Sequence, residues 1–197
     1  ITTNPLLAKH AGLSYAEIDW RYFIKKAAQL NAKEFHIQIP TTASTALSFC
    51  VARKEEARSY NTTVVIKIPL TNDGIRVAPK IKALGMPILM TACYHSKQYI
   101  IAEALKAEYI APYFGRMQDS DIDTEYHFAQ IRAMKDKDNA FCKVLVASIR
   151  NIDQLIKLAA NGYEIFTLSP KLASKLINDK FTSNAAYEFN QVAEHGI

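Results

Sequence analysis

The chain has 197 residues, 49% of them hydrophobic and 22% charged, a balance suited to one globular fold with a sizeable core. No apolar run approaches the roughly 20 residues of a membrane span and no signal-peptide pattern opens the sequence, so no membrane partner is expected. The net charge of +5 raises nucleic acid as a partner, but Lys25-Lys26, Arg53-Lys54 and Lys135-Asp136-Lys137 stand beside acids rather than in one patch, a field suited to steering small anions instead.

In chain order, Ile1-Thr2-Thr3-Asn4-Pro5 reads as the end of a strand followed by a loop. Ser14-Tyr15-Ala16-Glu17 is a capping-box pattern that predicts a helix running to about Leu30. Apolar runs predict strands over 35–39, 64–68, 87–91, 109–112, 144–148 and 164–168. Helix-like stretches separate them: 43–60, a segment capped by Thr71 and ending before Gly85, 96–106, 124–136, and 151–160 with Gly162 as its stop. Pro79, inside the Thr71 segment, predicts a kink or a late start. Two terminal helices follow over 169–178 and 184–194, and Phe181, Tyr187 and Phe189 are apolar positions that could cover a barrel or embrace a neighbour.

Strand–helix alternation at this spacing predicts an α/β fold of βα units around a parallel sheet. An open doubly wound sheet competes with a closed (β/α)8 TIM barrel. The open sheet usually carries a phosphate-cradling Gly-rich turn, and with 6 glycines the chain has neither GxGxxG nor GxxxxGK[ST]. A barrel with an extra C-terminal helix is therefore expected, as a single domain over 1–197. Residues 1–178 would form the barrel and 179–197 a helix for covering or assembly.

Cys50, Cys93 and Cys142 are widely spaced and odd in number, so neither a disulfide framework nor a zinc site is suggested and a reducing cytoplasm is the natural compartment. His10, His36, His95, His127 and His195 show no HxxxH or HxH spacing, so no metal and no other cofactor is expected.

Lys67 interrupts the otherwise apolar run Val64-Val65-Ile66-Lys67-Ile68-Pro69-Leu70. Lysine is almost never fully buried unless paired. Apolar surroundings disfavour the ammonium form and free the amine to attack a carbonyl, which makes Lys67 a candidate Schiff-base nucleophile. The plainer alternative is a strand-end lysine reaching to solvent.

Barrel sites lie at the C-terminal ends of strands. Here those ends carry Gln38, Lys67, Thr91, Tyr113 and Ser148. Period-two alternation puts Val65 with Lys67, Leu89 with Thr91, Ala111 with Tyr113, and Val146 with Ser148 on one face. Alternatively, Thr91 and Ser148 cap the helices that follow, and Tyr113 is a core aromatic with its hydroxyl at a rim. Arg116, in the loop Phe114-Gly115-Arg116, and Arg150, after Ser148-Ile149, suit anion recognition, unless nearby Asp119, Asp121 and Asp123 pair with them.

Several segments in correct order resemble the small transaldolase / fructose 6-phosphate aldolase family. They are Thr2-Thr3-Asn4-Pro5, Val65-Ile66-Lys67-Ile68-Pro69, Thr91-Ala92-Cys93-Tyr94 with Gln98, Glu108 to Arg116, Val146-Ala147-Ser148 and Ile165-Phe166-Thr167-Leu168. The resemblance implies a class I aldolase on a TIM barrel, free of metal, with Lys67 as the Schiff-base lysine. It also implies that Gln38, Thr91 and Tyr113 hold a catalytic water. Arg116 and Ser148 would bind phosphate with Arg150 beside them, and Thr2, Asn4 and Ala111 would line the pocket. Ring-like pentamers or decamers with exchanged C-terminal helices are implied too. Transaldolases of the family resemble one another in having Glu at the place of Gln38, Phe at that of Tyr113 and often Ser at that of Ala111. The chain is aldolase-like at all three.

One departure stands out. The family opens with a strand carrying a Leu-Asp-Thr-like segment, and no equivalent precedes Ile1. Either the sequence lacks residues that the natural protein has, or the barrel is incomplete. The first is the expectation, because a gap would expose two strand edges. The expected reaction is cleavage of fructose 6-phosphate to dihydroxyacetone and glyceraldehyde 3-phosphate. The alternatives are transfer of the dihydroxyacetone unit to erythrose 4-phosphate, as in the pentose phosphate pathway, and a non-catalytic basic barrel that binds polyanions in a salt-sensitive way.

Overall fold

Six short strands, most of them rich in apolar residues, pair in the order in which they occur along the chain. The structure, a computed structural model, describes residues 1–40 and 43–196. Its strands are β1 (Glu34–Gln38), β2 (Thr63–Pro69), β3 (Ile88–Cys93), β4 (Tyr109–Pro112), β5 (Lys143–Val146) and β6 (Ile165–Phe166). They form one parallel sheet in the order β1-β2-β3-β4-β5-β6. Thr2 adds a parallel bridge to His36 on the outer edge of β1. All six expected strands are present, and this bridge is the strand end expected near the N-terminus.

The sheet curls. The Tyr109 hydroxyl on β4 donates to Glu34 Oε1 on β1 at 3.0 Å, and the Tyr109 and His36 rings lie 5.4 Å apart. Two strands separate β1 from β4, so these contacts cross the interior of a barrel wall. The fold is TIM-barrel-like. Among the described residues, no pairing joins the Thr2 bridge to β6, and the wall is open there.

Curling divides the core in two. Phe35, Ile37, Val64, Ile66, Ile68, Ile88, Met90, Ile110, Val144 and Val146 face outward, under the helices. Val65, Leu89, Ala111, Tyr113, Leu145 and Ala147 form a smaller inner cluster. Strands buried on both faces are mostly apolar, which is how these read outside β1, whose inner positions are Glu34, His36 and Gln38. One expected phase is corrected: Val146 faces the helices, and Leu145 and Ala147 face inward. The polypeptide re-aims after β5, where Ser148 adopts the left-handed conformation at φ 64°.

The helices are α1 (Pro5–His10), α2 (Trp20–Gln29), α3 (Ala43–Ala57), α4 (Asn72–Ala83), α5 (Lys97–Ala104), α6 (Phe114–Asp119), α7 (Thr124–Lys135), α8 (Ile152–Ala160), α9 (Pro170–Ile177) and α10 (Lys180–His195). Four differ from expectation. Ser14 makes no side-chain cap and opens only a short 3-10 turn over Tyr15–Glu17; α2 starts later, where Asp19 accepts the Tyr22 amide. The expected loop after Thr3 is α1, with Asn4 as cap and Pro5 at the first position, which suits proline. The loop expected at Phe114-Gly115-Arg116 is α6. Finally, α10 begins at Lys180 because Asp179 accepts the Thr182 amide.

The Thr71 cap forms, accepting the Gly74 amide, and Pro79 does not delay α4. Gly74 is required here, since a Cβ would lie 2.0 Å from the Pro69 carbonyl oxygen. That close approach seats α4 on the end of β2, the strand that carries Lys67. No helix of the described residues is long and apolar enough to cross a membrane. Ile197, last residue of the expected C-terminal segment, lies outside the described residues.

Candidate active site

A cavity of ≈ 370 Å³ opens at the C-terminal ends of the strands. Thr2, Asn4, Lys67, Thr91, Ala111, Tyr113, Arg116, Ser148 and Arg150 line it, which gathers nine of the ten expected site residues. A larger surface groove of ≈ 630 Å³, beside Tyr99, Glu103 and Met134, lies away from the strand ends and gathers none of them.

Lys67 lies near the C-terminal end of β2 with its side chain inside the barrel, only 6% exposed. Its Nζ donates to Thr2 Oγ1 at 3.0 Å and to the Thr3 carbonyl at 2.9 Å. Both acceptors are uncharged, and among the described residues no carboxylate offsets the loss of water. Burial therefore lowers its pKa to about 8. At pH 7 roughly a tenth of such an amine is unprotonated, on the order of 10²-fold more than for a lysine in water. The reading of a lysine reaching solvent does not hold.

Thr91 and Tyr113 meet directly, with their oxygens 2.9 Å apart. Thr91 is 1% exposed and caps no helix. Tyr94 packs edge-on against Tyr113, with ring centroids 5.9 Å apart. The Gln98 side chain accepts the Tyr94 and His95 amides and fixes that loop. Ala111 is buried between Leu89 and Leu145 on the cavity floor.

Gln38 is the expected residue that the cavity does not gather. It pairs with Lys67 in register, yet it ends β1 and is only half-buried. Its carbonyl accepts the Tyr15 hydroxyl at 2.7 Å.

The two arginines differ. Arg150 Nη2 lies 2.5 Å from Asp119 Oδ2, so Asp119 takes up part of its charge. The Arg116 guanidinium stacks on the Tyr113 ring at 5.0 Å and has no carboxylate partner among the described residues. The α6 turn that carries it is pinned to the end of β5, where the Phe114 and Gly115 amides donate to the Ala147 and Ser148 carbonyls at 2.9 Å. Gly115 permits this approach, because a Cβ would fall 2.2 Å from the Ser148 carbonyl oxygen and 2.7 Å from Arg150 Nε. Ser148 does not cap α8; Asn151 does.

Asn4 caps α1 through Oδ1 while lining the cavity, so it has a structural task as well. Thr167, Leu168, Ser169 and Pro170 also line the cavity, and the sequence reading gave them no role. Ser169 caps α9, and the pattern Ser169-Pro170 before an amphipathic run was the available signal. Cys93 is 1% exposed and burial raises its thiol pKa, so it is an inert core thiol. Among the described residues, no three His, Cys, Asp or Glu side chains group as metal ligands.

Solved structures share the architecture. A PaMucR phosphodiesterase in complex with c-di-GMP aligns with a TM-score of 0.56 over 82% of this chain and 72% of that one, at 12% identity. A mandelate oxidase with 2-hydroxy-phenylacetamide gives 0.54 at 12% identity, covering 74% of this chain and 51% of that one, about half its length. At such identities only the fold is shared.

Curated relatives match more fully. A "Probable transaldolase" of Paracoccus denitrificans (strain Pd 1222) is 26% identical over 193 residues, covering 96% of this chain and 84% of its own. One of Caulobacter sp. (strain K31) is 27% identical over 189 residues, covering 96% and 83%. The family model for Transaldolase/Fructose-6-phosphate aldolase matches residues 1–197. With a buried lysine amine lining its cavity and a family match along its whole length, this chain is an enzyme of the transaldolase/fructose-6-phosphate aldolase family.

Proposed function

We propose that Lys67 forms a Schiff base with a phosphorylated ketose and that the enzyme cleaves fructose 6-phosphate to dihydroxyacetone and glyceraldehyde 3-phosphate. The observation that carries this is the buried amine of Lys67, held by two neutral acceptors and lowered to about 8. The neutral amine attacks the C2 ketone, and loss of water gives an iminium ion. That cation accepts the electron pair of the C3–C4 bond as it breaks, forming an enamine, while the C4 hydroxyl loses its proton. In this reading a water positioned by Tyr113, Thr91 and Gln38 takes this proton, and the direct contact of the Thr91 and Tyr113 hydroxyls supports it. Arg116 and Ser148 hold the phosphate, with Arg150 beside them, and so orient C2 against Lys67. The enamine then gains a proton and the imine is hydrolysed, releasing dihydroxyacetone.

The second reading, transfer of the dihydroxyacetone unit to erythrose 4-phosphate, is favoured by the name borne by the curated relatives. Gln38, Tyr113 and Ala111 favour cleavage, because a proton-delivering phenol promotes hydrolysis of the enamine adduct. Product analysis from fructose 6-phosphate, with and without erythrose 4-phosphate, decides between the two. Dihydroxyacetone released without acceptor supports the aldolase; product only with acceptor supports the transaldolase. Borohydride reduction with the sugar should label Lys67, and absence of the adduct removes both.

The helix α10 has no buried residue, and Phe181, Tyr187, Phe189 and Val192 are exposed on it. That surface supports an assembly of identical chains, pentamer or decamer, with 179–197 as the assembly segment. Three free, buried thiols fit a cytoplasmic setting.

A further inference from the structure

A second polar group sits inside the barrel beneath Lys67. Phe35 and Ile37 face the helices, so Glu34, His36 and Gln38 face inward. His36 is 4% exposed. Its Nε2 lies 2.9 Å from Glu34 Oε2, while Glu34 Oε1 accepts the Tyr109 hydroxyl. An ionised carboxylate can only accept, so Nε2 carries the hydrogen and Nδ1 keeps its lone pair. That Nδ1 is buried and has no partner among the described residues. A buried acceptor without a donor is rare enough to call for an explanation.

The register supplies one. His36 pairs with Val65 and Gln38 with Lys67, so His36 is the diagonal neighbour of Lys67 on the inner face. Strand spacing and rise put the two Cα atoms roughly 8 Å apart, a span that a lysine, an imidazole and one water fill. Lys67 has donors to spare: an ammonium has three hydrogens, and Thr2 and Thr3 take two. The His36 backbone also holds the segment that supplies those acceptors, since its carbonyl accepts the Thr3 amide at 3.0 Å.

We propose that His36 is a positioning residue for Lys67: Nδ1, oriented by Glu34, accepts through one bridging water the remaining N–H of the lysine, and later that of the iminium. This rests on the Schiff-base reading above and deepens it. The groups facing His36 are Glu34 on its own strand, Lys67 on β2 and Tyr109 on β4, with the Ile1 nitrogen donating to the Glu34 carbonyl at 2.9 Å. Burial, with lesser help from the Lys67 charge, holds the imidazole pKa below its usual value although Glu34 opposes this. His36 is therefore a neutral acceptor at neutral pH. A neutral acceptor favours the cationic lysine and iminium over the free amine and enamine.

The test follows Lys67 by ¹⁵N-lysine NMR titration, assigned against Lys67→Met, in wild-type, His36→Phe, His36→Asn and Glu34→Gln proteins. Phenylalanine keeps the ring against Tyr109 without an acceptor. Asparagine keeps an oxygen near the place of Nδ1. Glutamine at 34 can donate to Nε2, which turns Nδ1 into a donor aimed at the lysine. The expected Lys67 midpoint falls by about half to one pH unit in His36→Phe and Glu34→Gln, and returns towards wild type in His36→Asn. Turnover of fructose 6-phosphate should fall about five- to twentyfold in His36→Phe with KM within about twofold, because the phosphate contacts are untouched. A wild-type midpoint in folded His36→Phe overturns the proposal. If that variant does not fold, a wild-type midpoint in Glu34→Gln overturns it equally. The titration needs no substrate, so a wild-type protein that gives no borohydride adduct would sink the Schiff-base reading while leaving the titration to judge His36.

Discussion

The Thr91 hydroxyl on β3 and the Tyr113 hydroxyl just beyond the end of β4 face one another at 2.9 Å inside the cavity that holds Lys67. Either can donate, so the pair can pass a proton while keeping its hydrogen bond. Removing the phenol by Tyr113→Phe should lower cleavage of fructose 6-phosphate by about 10²-fold or more, the usual worth of a positioned acid–base group. Transfer to erythrose 4-phosphate should fall less, since the enamine is then captured by an aldehyde rather than a proton. Parallel assays with and without acceptor give the ratio. An equal loss in both would assign Tyr113 to a step that the two reactions share.

Lys67 should govern both rate and stability. Imine formation with a saturating ketose should accelerate as pH rises through about 8, where the amine is released. Lys67→Arg should keep the cation and abolish borohydride labelling. The stability effect has a definite sign. The folded pKa lies below that of an unfolded lysine, so between about 8 and 10.5 the unfolded chain binds more protons and folding stability rises with pH. Below about 8 the cost of burying the cation is fully present, on the order of 3 kcal/mol. Lys67→Met removes that cost but orphans the Thr3 carbonyl, so a net gain of about 1–2 kcal/mol is expected at pH 7. Thermal unfolding at pH 7 and pH 10 checks it: the advantage over wild type should shrink at the higher pH.

Much of this site was legible because a curled parallel sheet, covered on its outer face by helices, makes strong demands on sequence. Strands covered on both faces must be apolar, and a lysine or threonine at such a strand's end is conspicuous. Lys67, Thr91 and Tyr113 were visible on that ground alone. The inner phase of β5 was not, because Val144, Leu145, Val146 and Ala147 are all apolar and alternation has nothing to distinguish. Short helices escaped for a related reason. Six residues of α1 and six of α6 hold too few turns for a periodic pattern, and tertiary anchors such as the Ala147 and Ser148 carbonyls fix α6 instead. The Ser14 capping box misled because Asp19 offers a competing cap closer to the helix face, led by Trp20 and Ile24, that is buried.

The two arginines should separate on mutation. Arg116 stacks on Tyr113 without a carboxylate partner, whereas Arg150 is tied to Asp119 on the exposed rim. Arg116→Gln should raise KM for fructose 6-phosphate about 10- to 100-fold, the loss of one charge-assisted phosphate contact. Arg150→Gln should raise it only about two- to fivefold, since its charge is already shared and screened. Steady-state kinetics with fructose 6-phosphate and unphosphorylated fructose decide the matter. The penalty must vanish with the unphosphorylated sugar, or the arginines do not read the phosphate.

Gly115 links the fold to the proposed phosphate subsite. A methyl group at this position would meet the Ser148 carbonyl oxygen at 2.2 Å, and the carbonyl is backbone that cannot rotate away. Gly115→Ala must therefore lift the first turn of α6 from the end of β5, breaking the hydrogen bond that the Gly115 N–H donates to the Ser148 carbonyl and shifting Arg116 away from Ser148. Overpacking of this kind costs about 1–3 kcal/mol, a melting shift of several degrees for a chain of this size. Labelling of Lys67 by dihydroxyacetone with borohydride should survive, because β2 and Thr2 lie on the other side of the cavity. KM for fructose 6-phosphate should rise as in Arg116→Gln. An unchanged KM for fructose 6-phosphate in folded Gly115→Ala would place the phosphate contacts elsewhere in the barrel.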